Sequence, residues 1–209
     1  MNMKILGLIA GAALLVGAQS AYAVTITNGG FEDPVIADGS YSTVPPGTLT
    51  GWTVGLAGVD IVREPYWDAS EGSQSIDLNA LGSGSISQGL SGLTIGQEYT
   101  VSFDLAGNPT GDVKSLTVST NGGAELFTFD TAGKNAANMG WTTFTYVFVA
   151  AASSDLLAFL STSGGSGGPA LDNITIAATP IPGAILLFGS ALAGMGFLGY
   201  RRRKFEAAA

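Results

Sequence analysis

The stretch Tyr99-Thr100-Val101-Ser102-Phe103-Asp104-Leu105 alternates apolar side chains with polar ones. Side chains two positions apart lie on the same face of a β-strand, so this pattern predicts a strand with one buried and one exposed face. The same alternation recurs in residues 143–148 and 173–176. The three stretches together predict that the middle of the chain is built from β-structure.

Shorter segments between turn residues predict further strands. They are residues 25–27, 59–63, 75–78, 85–88, 115–120, 125–130 and 156–160. Glycine-rich breaks at 121–123 and 163–168 predict hairpins or loops, and no amphipathic helix or internal repeat interrupts the pattern. About ten short strands at this spacing predict an all-β fold, a β-sandwich or jelly roll.

The first 23 residues predict a secretory signal peptide. Lys4 precedes an apolar run at residues 5–16, and the small residues Ala21 and Ala23 flank Tyr22. This order matches a signal peptide cleaved after Ala23, leaving Val24 as the first residue. The alternative is a buried N-terminal helix.

The other end of the chain predicts a helix that spans a membrane. Residues 181–200 are apolar, and Arg201, Arg202, Arg203 and Lys204 follow them directly. Twenty residues are about the length that crosses a bilayer, and a basic cluster stays on the cytoplasmic side. The alternative is a buried core helix. The prediction therefore places residues 24–179 outside the cytoplasm as one domain, and residues 180–209 in a tail.

The composition of residues 24–179 excludes several functions. They hold three basic and fifteen acidic residues, a net formal charge of −12, which disfavours nucleic acid and anionic membrane surfaces. Calcium or a neutral polymer is compatible with that charge. The chain contains no cysteine and no histidine, so it has no disulfide, no Ser-His-Asp or Cys-His catalytic group and no histidine-bound zinc.

Several short motifs occur in a recognisable order. They are Asn28-Gly29-Gly30-Phe31-Glu32, Gly51-Trp52, Gly72-Ser73-Gln74-Ser75, Gly140-Trp141 and Leu171-Asp172-Asn173-Ile174. In this order they resemble the galactose-binding-like jelly rolls, a group that includes many carbohydrate-binding modules. Together with the run at residues 59–88, they are similar to the exported bacterial group called "choice-of-anchor C". The resemblance covers nearly all of residues 24–177.

The resemblance implies a structural calcium ion. In such jelly rolls the opening and closing strands lie close together, and a carboxylate from each holds the ion. Glu32 and Asp172 match those two positions. Ca²⁺ takes six to eight oxygen ligands, so two carboxylates and nearby backbone carbonyls suit it. The alternative is that both are solvated turn residues.

Aromatic residues are the candidates for sugar contact. Trp52 and Trp141 each follow a glycine at a strand start, which favours the core. Tyr66 and Trp67 lie in a polar segment, where exposed rings are expected to form a platform for a sugar. Here too the alternative is that the tryptophan is buried.

An acidic group in the same region allows a catalytic alternative. It consists of Asp60, Glu64, Asp68, Glu71 and Asp77. Two carboxylates can hydrolyse a glycosidic bond when they flank it. A solvated acidic surface is the simpler interpretation, because closeness in sequence does not fix the distance between side chains.

Pro180, Pro182 and Gly183 lie at the start of the tail, and the rest of the apolar span and the basic cluster at 201–204 follow. In this order they resemble the PEP-CTERM sorting signals that exosortases recognise in Gram-negative bacteria. Ile181 stands where the usual motif has glutamate. An Leu-Pro-x-Thr-Gly sortase motif is absent, and the basic end differs from a eukaryotic lipid-anchor signal.

The sequence as a whole predicts a non-enzymatic protein of the cell surface or extracellular matrix of a Gram-negative bacterium. Its expected partners are an extracellular polysaccharide, an exosortase-type enzyme and, in transit, the inner membrane. A structural surface protein without a specific ligand is the main alternative. A glycoside-acting enzyme is the third.

Overall fold

The computed structural model describes residues 24–47, 49–110 and 112–180. These residues form eleven β-strands and no helix. The strands are β1 (Tyr41–Val44), β2 (Thr53–Val54), β3 (Val59–Arg63), β4 (Gln74–Asp77), β5 (Ser85–Ser91), β6 (Glu98–Gly107), β7 (Val113–Thr120), β8 (Gly123–Asp130), β9 (Thr142–Val149), β10 (Ser154–Ser161) and β11 (Pro169–Ala178).

The strands form two antiparallel sheets. One has six strands in the order β1-β3-β4-β11-β6-β9, and the other has five in the order β2-β5-β10-β7-β8. Every neighbouring pair runs antiparallel. The non-sequential strand order and the two facing sheets confirm the predicted all-β jelly-roll sandwich.

The core lies between the sheets, where the apolar side chains of each alternating strand meet. Val101, Phe103 and Leu105 of β6 are fully buried. The Phe103 ring lies 5.1 Å from the Phe127 ring of β8 and 5.4 Å from the Phe159 ring of β10, both in edge-to-face geometry. Such pairs add to the free energy of burial, so Phe103 links the two sheets.

The first predicted strand, residues 25–27, is wrong. No ladder forms there, because the side chain of Gln88 takes the place of a partner strand. Its Oε1 accepts a hydrogen bond from the Thr27 N–H at 2.8 Å, and its Nε2 donates to the Thr27 carbonyl at 2.9 Å. The expected closeness of chain start and closing strand holds: the Ile174 N–H donates to the Gly29 carbonyl at 3.0 Å.

β1 was not predicted, and β2 was anticipated only as a strand that starts at Trp52. Both strands are short, and β1 has one buried residue, Val44, so neither shows a clear alternation of burial. The glycine-rich break at 121–123 does form the β7–β8 hairpin, in which Thr120 pairs with Gly123. The break at 163–168 connects β10 to β11.

The loop between β3 and β4, residues 64–73, folds back over the outer face of the six-stranded sheet. The Trp67 indole N–H donates to Ser75 Oγ of β4 at 2.8 Å. The Ser70 hydroxyl donates to Asp104 Oδ2 of β6 at 2.7 Å. The β3–β4 loop thereby covers part of a face that alternation along the strands would leave open to solvent.

The predicted signal peptide, membrane span and most of the sorting signal lie outside the described residues. Pro180 is the last described residue, and β11 ends two residues before it, at Ala178. Within the described ranges, no helix has the length and apolar character needed to cross a membrane.

Candidate functional site

A groove of about 320 Å³ opens on the outer face of the six-stranded sheet, beside the β3–β4 loop. Its floor includes Thr43, Asp60 and Asp77. Thr43 pairs with Asp60 between β1 and β3, and Asp60 pairs with Asp77 between β3 and β4. Residues directly opposite each other on neighbouring strands share a face, so the three polar side chains form one row across the sheet.

Asp77 is buried and held by three N–H donors. Its Oδ1 accepts hydrogen bonds from the backbone N–H of Asn79 at 2.8 Å and of Gly168 at 2.9 Å. Its Oδ2 accepts from the side-chain amide of Asn108 at 3.0 Å. Burial raises the pKa of Asp77 to about 6, an effect that these hydrogen bonds oppose and the nearby Asp60 carboxylate reinforces.

Asp60 is more accessible. Partial burial raises its pKa above the usual range, and a hydrogen bond from Thr43 opposes the shift. The Thr43 hydroxyl donates to Asp60 Oδ1 at 2.6 Å. No described residue donates a hydrogen bond to Asp60 Oδ2, and Asp60 lines the groove.

Two tyrosines form one wall of the groove. Tyr41 of β1 and Tyr66 of the β3–β4 loop are 54% and 46% exposed, and their rings meet edge to face at 5.4 Å. Asn108 lines the groove as well. The combination offers aromatic faces and hydrogen-bonding groups around one opening.

The expectation of an exposed Trp67 is wrong. Only 3% of Trp67 is exposed, because the β3–β4 loop presses the indole onto β4, where it bonds to Ser75. The Tyr66 ring meets the Trp67 ring edge to face at 6.3 Å. Trp67 therefore supports Tyr66 from beneath, and of the two predicted platform residues Tyr66 offers the accessible ring.

Of the other two tryptophans, Trp52 lies in the core as predicted, whereas Trp141 is only partly buried. Trp52 is 3% exposed and its indole N–H donates to the Asn28 carbonyl at 3.1 Å. Trp141 is partly buried against the core and donates to the Asp68 carbonyl at 2.9 Å. Trp141 thus ties the β3–β4 loop to the start of β9.

Glu32, one of the two predicted calcium ligands, holds the end of the β3–β4 loop. Its Oε1 accepts hydrogen bonds from the backbone N–H of Ser73 at 2.6 Å and of Gln74 at 2.8 Å. Gly72, next to this contact, has a positive φ of 63°, and a β-carbon there would lie within 2.7 Å of the Glu32 carboxyl carbon. Glycine is thus required for the loop to approach the carboxylate.

Asp172, the other predicted ligand, holds the middle of the same loop. It is fully buried, and its Oδ2 accepts from the backbone N–H of Ser70 at 2.8 Å and of Glu71 at 2.9 Å. Burial raises the pKa of Asp172 to about 7, while its N–H donors lower it. Glu32 and Asp172 therefore fasten one loop to the opening motif and the closing strand.

The side chains near Glu32 and Asp172 supply carboxylate oxygens, the type of ligand that calcium prefers. A β-carbon on Gly30 would lie 2.4 Å from Glu71 Oε2 and 3.8 Å from Asp172 Oδ1, so these two carboxylates face the same point of the opening motif. Among the described residues, however, no group of three or more acidic, histidine or cysteine side chains is arranged to hold a metal ion. Any ion here needs backbone carbonyls as well.

Parts of this site were not found in the sequence. Tyr41 belongs to a strand too short to be predicted, and Asn108 follows directly after β6. Asp60 and Asp77 were named from the sequence as acidic residues. The strand register that places them side by side was not predicted. The available signal was Asp60 between two apolar residues in the predicted strand 59–63, and the alternation of Ser75 and Asp77 with apolar residues in 75–78.

The fold and site define a β-sandwich with a groove on one sheet. The chain belongs to the family described as "Protein of unknown function (DUF642)", which matches residues 24–177. A curated relative, Halomucin of Haloquadratum walsbyi (strain DSM 16790 / HBSQ001), is 29% identical over 182 residues. That match covers 84% of this chain and 2% of Halomucin, so the chain spans a very small part of that protein's length.

Several solved structures have a similar fold. TmCBM61 in complex with β-1,4-galactotriose is 22% identical, with a TM-score of 0.49 over 73% of this chain and 96% of that one. A family 35 carbohydrate-binding module from Clostridium thermocellum is 14% identical, with a TM-score of 0.45 over 67% and 99%. CBM35 from Paenibacillus barcinonensis is 21% identical, with a TM-score of 0.41 over 67% and 99%.

Proposed function

We propose that the groove binds an extracellular polysaccharide and that the protein performs no catalysis. The observation that carries this is the accessible tyrosine pair beside a row of hydrogen-bonding side chains on one sheet face. Sugar rings have an apolar face that packs on an aromatic ring and hydroxyl groups that donate to carboxylates. Tyr41 and Tyr66 supply the first contact, and Asp60 and Asn108 supply the second.

The shape of the site supports a chain rather than an isolated small molecule. The groove is partly open to solvent, and its tyrosines keep about half of their surface exposed. A pocket for a small ligand usually encloses most of it. An open site can hold a few units of a polymer while the rest of the polymer stays in solvent.

Hydrolysis is less compatible with the same geometry. A glycosidase needs one carboxylic acid that donates its proton to the leaving oxygen. Burial raises the pKa of Asp77 to about 6, but Asp77 is 2% exposed and its two oxygens accept three N–H bonds, so it is poorly placed to donate a proton to a substrate. Asp60 alone does not make a catalytic pair.

A glycan array followed by calorimetric titration tests the binding proposal. The wild-type protein should bind at least one polysaccharide, and Tyr66→Ala should weaken that binding about tenfold or more, because it removes a stacking contact. Leu126→Ala is the matched control, since Leu126 is 60% exposed on the other sheet. Equal affinity for wild type and Tyr66→Ala would show that the groove is not the binding site. An array without any hit would favour the alternative, a structural surface protein without a specific ligand.

We further propose that calcium bridges the opening motif and the closing strand through Glu32 and Asp172. An ion that binds only the folded state stabilises it by about 2.7 kcal/mol when its free concentration is about 100 times the dissociation constant. EDTA should therefore lower the melting temperature of the protein, Ca²⁺ should restore it, and Asp172→Ala should remove the response. Melting curves that coincide with and without EDTA would rule the ion out.

The chain is also proposed to be exported and sorted to the cell surface through its terminal segments. The signal peptide and the PEP-CTERM-like tail support this from sequence alone. Sequencing the N-terminus of secreted protein should give Val24 as the first residue. Mature protein that still begins at Met1 would contradict export by this route.

A further inference from the structure

No basic side chain of the described residues lines the groove, although the Lys114 amine donates to the Gly167 carbonyl at 2.7 Å, next to the lining residue Ser166. Arg63 Nε lies 2.6 Å from Asp38 Oδ1, and Lys114 Nζ lies 2.8 Å from Asp112 Oδ1. Lys134 follows β8, with its amine beside Gly140. The groove is therefore lined by carboxylates without a cationic partner.

Two like charges occupy the floor of this groove. Asp60 and Asp77 are direct partners in the β3–β4 ladder, and like charges directly opposite each other destabilise a sheet. Asp77 is 2% exposed, so water screens it poorly. A bound positive charge would relieve the repulsion, whereas a neutral ligand would leave it unchanged and an acidic sugar would increase it.

The wall of the groove also favours a cation. The faces of tyrosine rings attract a positive charge within about 6 Å. Tyr41 and Tyr66 stand at the edge of the carboxylate row, Tyr41 on the same strand as Thr43 and Tyr66 on the loop above β4. An organic cation on a ring-shaped body in the groove would have the two tyrosine rings and the Asp60 carboxylate among the groups around it.

A metal ion fits the groove less well than an organic cation. The described lining residues include two carboxylates, Asp60 and Asp77, whereas calcium takes six to eight oxygen ligands. Within the described ranges, acidic, histidine and cysteine side chains form no cluster of three or more that suits a metal. An ammonium group needs about three acceptors and tolerates an aromatic neighbour.

We propose that the groove selects a sugar that carries a free, protonated amine, such as a glucosamine unit of a deacetylated polymer. This inference rests on the proposed polysaccharide-binding function and names the class of sugar. The ammonium group lies against Asp60, and the sugar ring packs on Tyr66. N-acetylation removes the charge and the preference with it.

Matched oligosaccharides test the inference by calorimetric titration of the full chain. Tetraglucosamine, tetra-N-acetylglucosamine and cellotetraose differ mainly in the group at one ring position. The free amine should bind about tenfold tighter than the other two, because a charge-assisted hydrogen bond is stronger than a neutral one. Asp60→Asn keeps the acceptor for Thr43 and should abolish this preference.

A charge control is needed because the domain is acidic as a whole. Glu125→Gln removes one charge from an exposed position of β8, on the other sheet, and should keep the preference. Oligolysine should compete poorly with tetraglucosamine. A preference that survives Asp60→Asn, or that Glu125→Gln weakens equally, would reduce the effect to general charge attraction and overturn the inference.

The remaining outcomes separate the inference from the proposed function. Equal binding of the three oligosaccharides would overturn amine selection and leave polysaccharide binding in place. Absence of binding to tetraglucosamine, with a hit elsewhere on the array that Tyr66→Ala weakens, would do the same. An array without hits would contradict both.

Discussion

Replacing Trp67 with alanine should lower the free energy of unfolding by about 3–5 kcal/mol, the usual cost of removing a buried large aromatic side chain. Trp67 is 3% exposed and its indole N–H bonds to Ser75, which is fully buried on β4. The substitution would leave a cavity under the β3–β4 loop and an unpaired hydroxyl. Chemical denaturation monitored by circular dichroism measures the change.

Its neighbour provides the matched control. Tyr66 is 46% exposed, so Tyr66→Ala should cost about 1 kcal/mol or less while weakening ligand binding. The two adjacent residues thus separate stability from binding. If Trp67→Ala instead abolished binding with only a small loss of stability, that result would identify Trp67 as a sugar-contacting residue and contradict its burial beneath the loop.

Replacing Gly168 with alanine should destabilise the protein by about 3 kcal/mol and weaken ligand binding as well. A β-carbon at Gly168 would lie 2.6 Å from Asn79 Cγ and 2.7 Å from Asp77 Oδ1. Neither side chain can withdraw easily, because Asp77 accepts three hydrogen bonds and the Asn79 amide donates to the carbonyls of Ser163 and Gly165. Overpacking alone costs about 1–3 kcal/mol, and lost buried hydrogen bonds add to it.

Gly164→Ala is the control in the same loop. No atom lies within 4 Å of the position that its β-carbon would take. This variant should keep the stability of the wild type or gain up to about 1 kcal/mol, because alanine restricts the unfolded chain. Equal denaturation midpoints for the two variants would show that the β10–β11 loop does not pack on Asp77 as described.

The Asn79 side chain has one polar atom without a hydrogen-bond partner among the described residues, the oxygen Oδ1. It lies 2.7 Å from the position that a Gly168 β-carbon would take, so it faces the glycine α-carbon. A weak Cα–H···O contact is the interaction available to it there. The contact with Asn79 is a second reason why position 168 requires glycine, besides the close approach to Asp77.

The strands were predictable where one face is buried. In β6 the alternation of Val101, Phe103 and Leu105 with polar residues follows directly from the sandwich, and the structure confirms it. Residues 25–27 also look like a strand in the sequence, yet the backbone of Thr27 bonds to the side chain of Gln88 and not to a neighbouring strand. Local pattern does not distinguish a ladder partner from a side chain distant in sequence.

The site was less predictable than the fold, because it depends on register and on a folded-back loop. Seventeen positions separate Asp60 from Asp77, and only the pairing of β3 with β4 places them together. Trp67 lies in a polar segment, which normally indicates exposure. Its burial depends on Glu32, Asp172 and Trp141, which hold the loop from three distant parts of the chain.

The most direct measurement of the central claim is a map of the ligand contact by NMR, using amide chemical shifts of the labelled protein with and without the best glycan from the array. If the groove is the binding site, the shifted amides should cluster on β1, β3, the β3–β4 loop and Asn108, and Tyr66→Ala should remove the shifts. The outer face of the five-stranded sheet should remain unchanged. Shifts confined to that face, or to the turns between strands far from Tyr41 and Asp60, would contradict the groove as the polysaccharide-binding site.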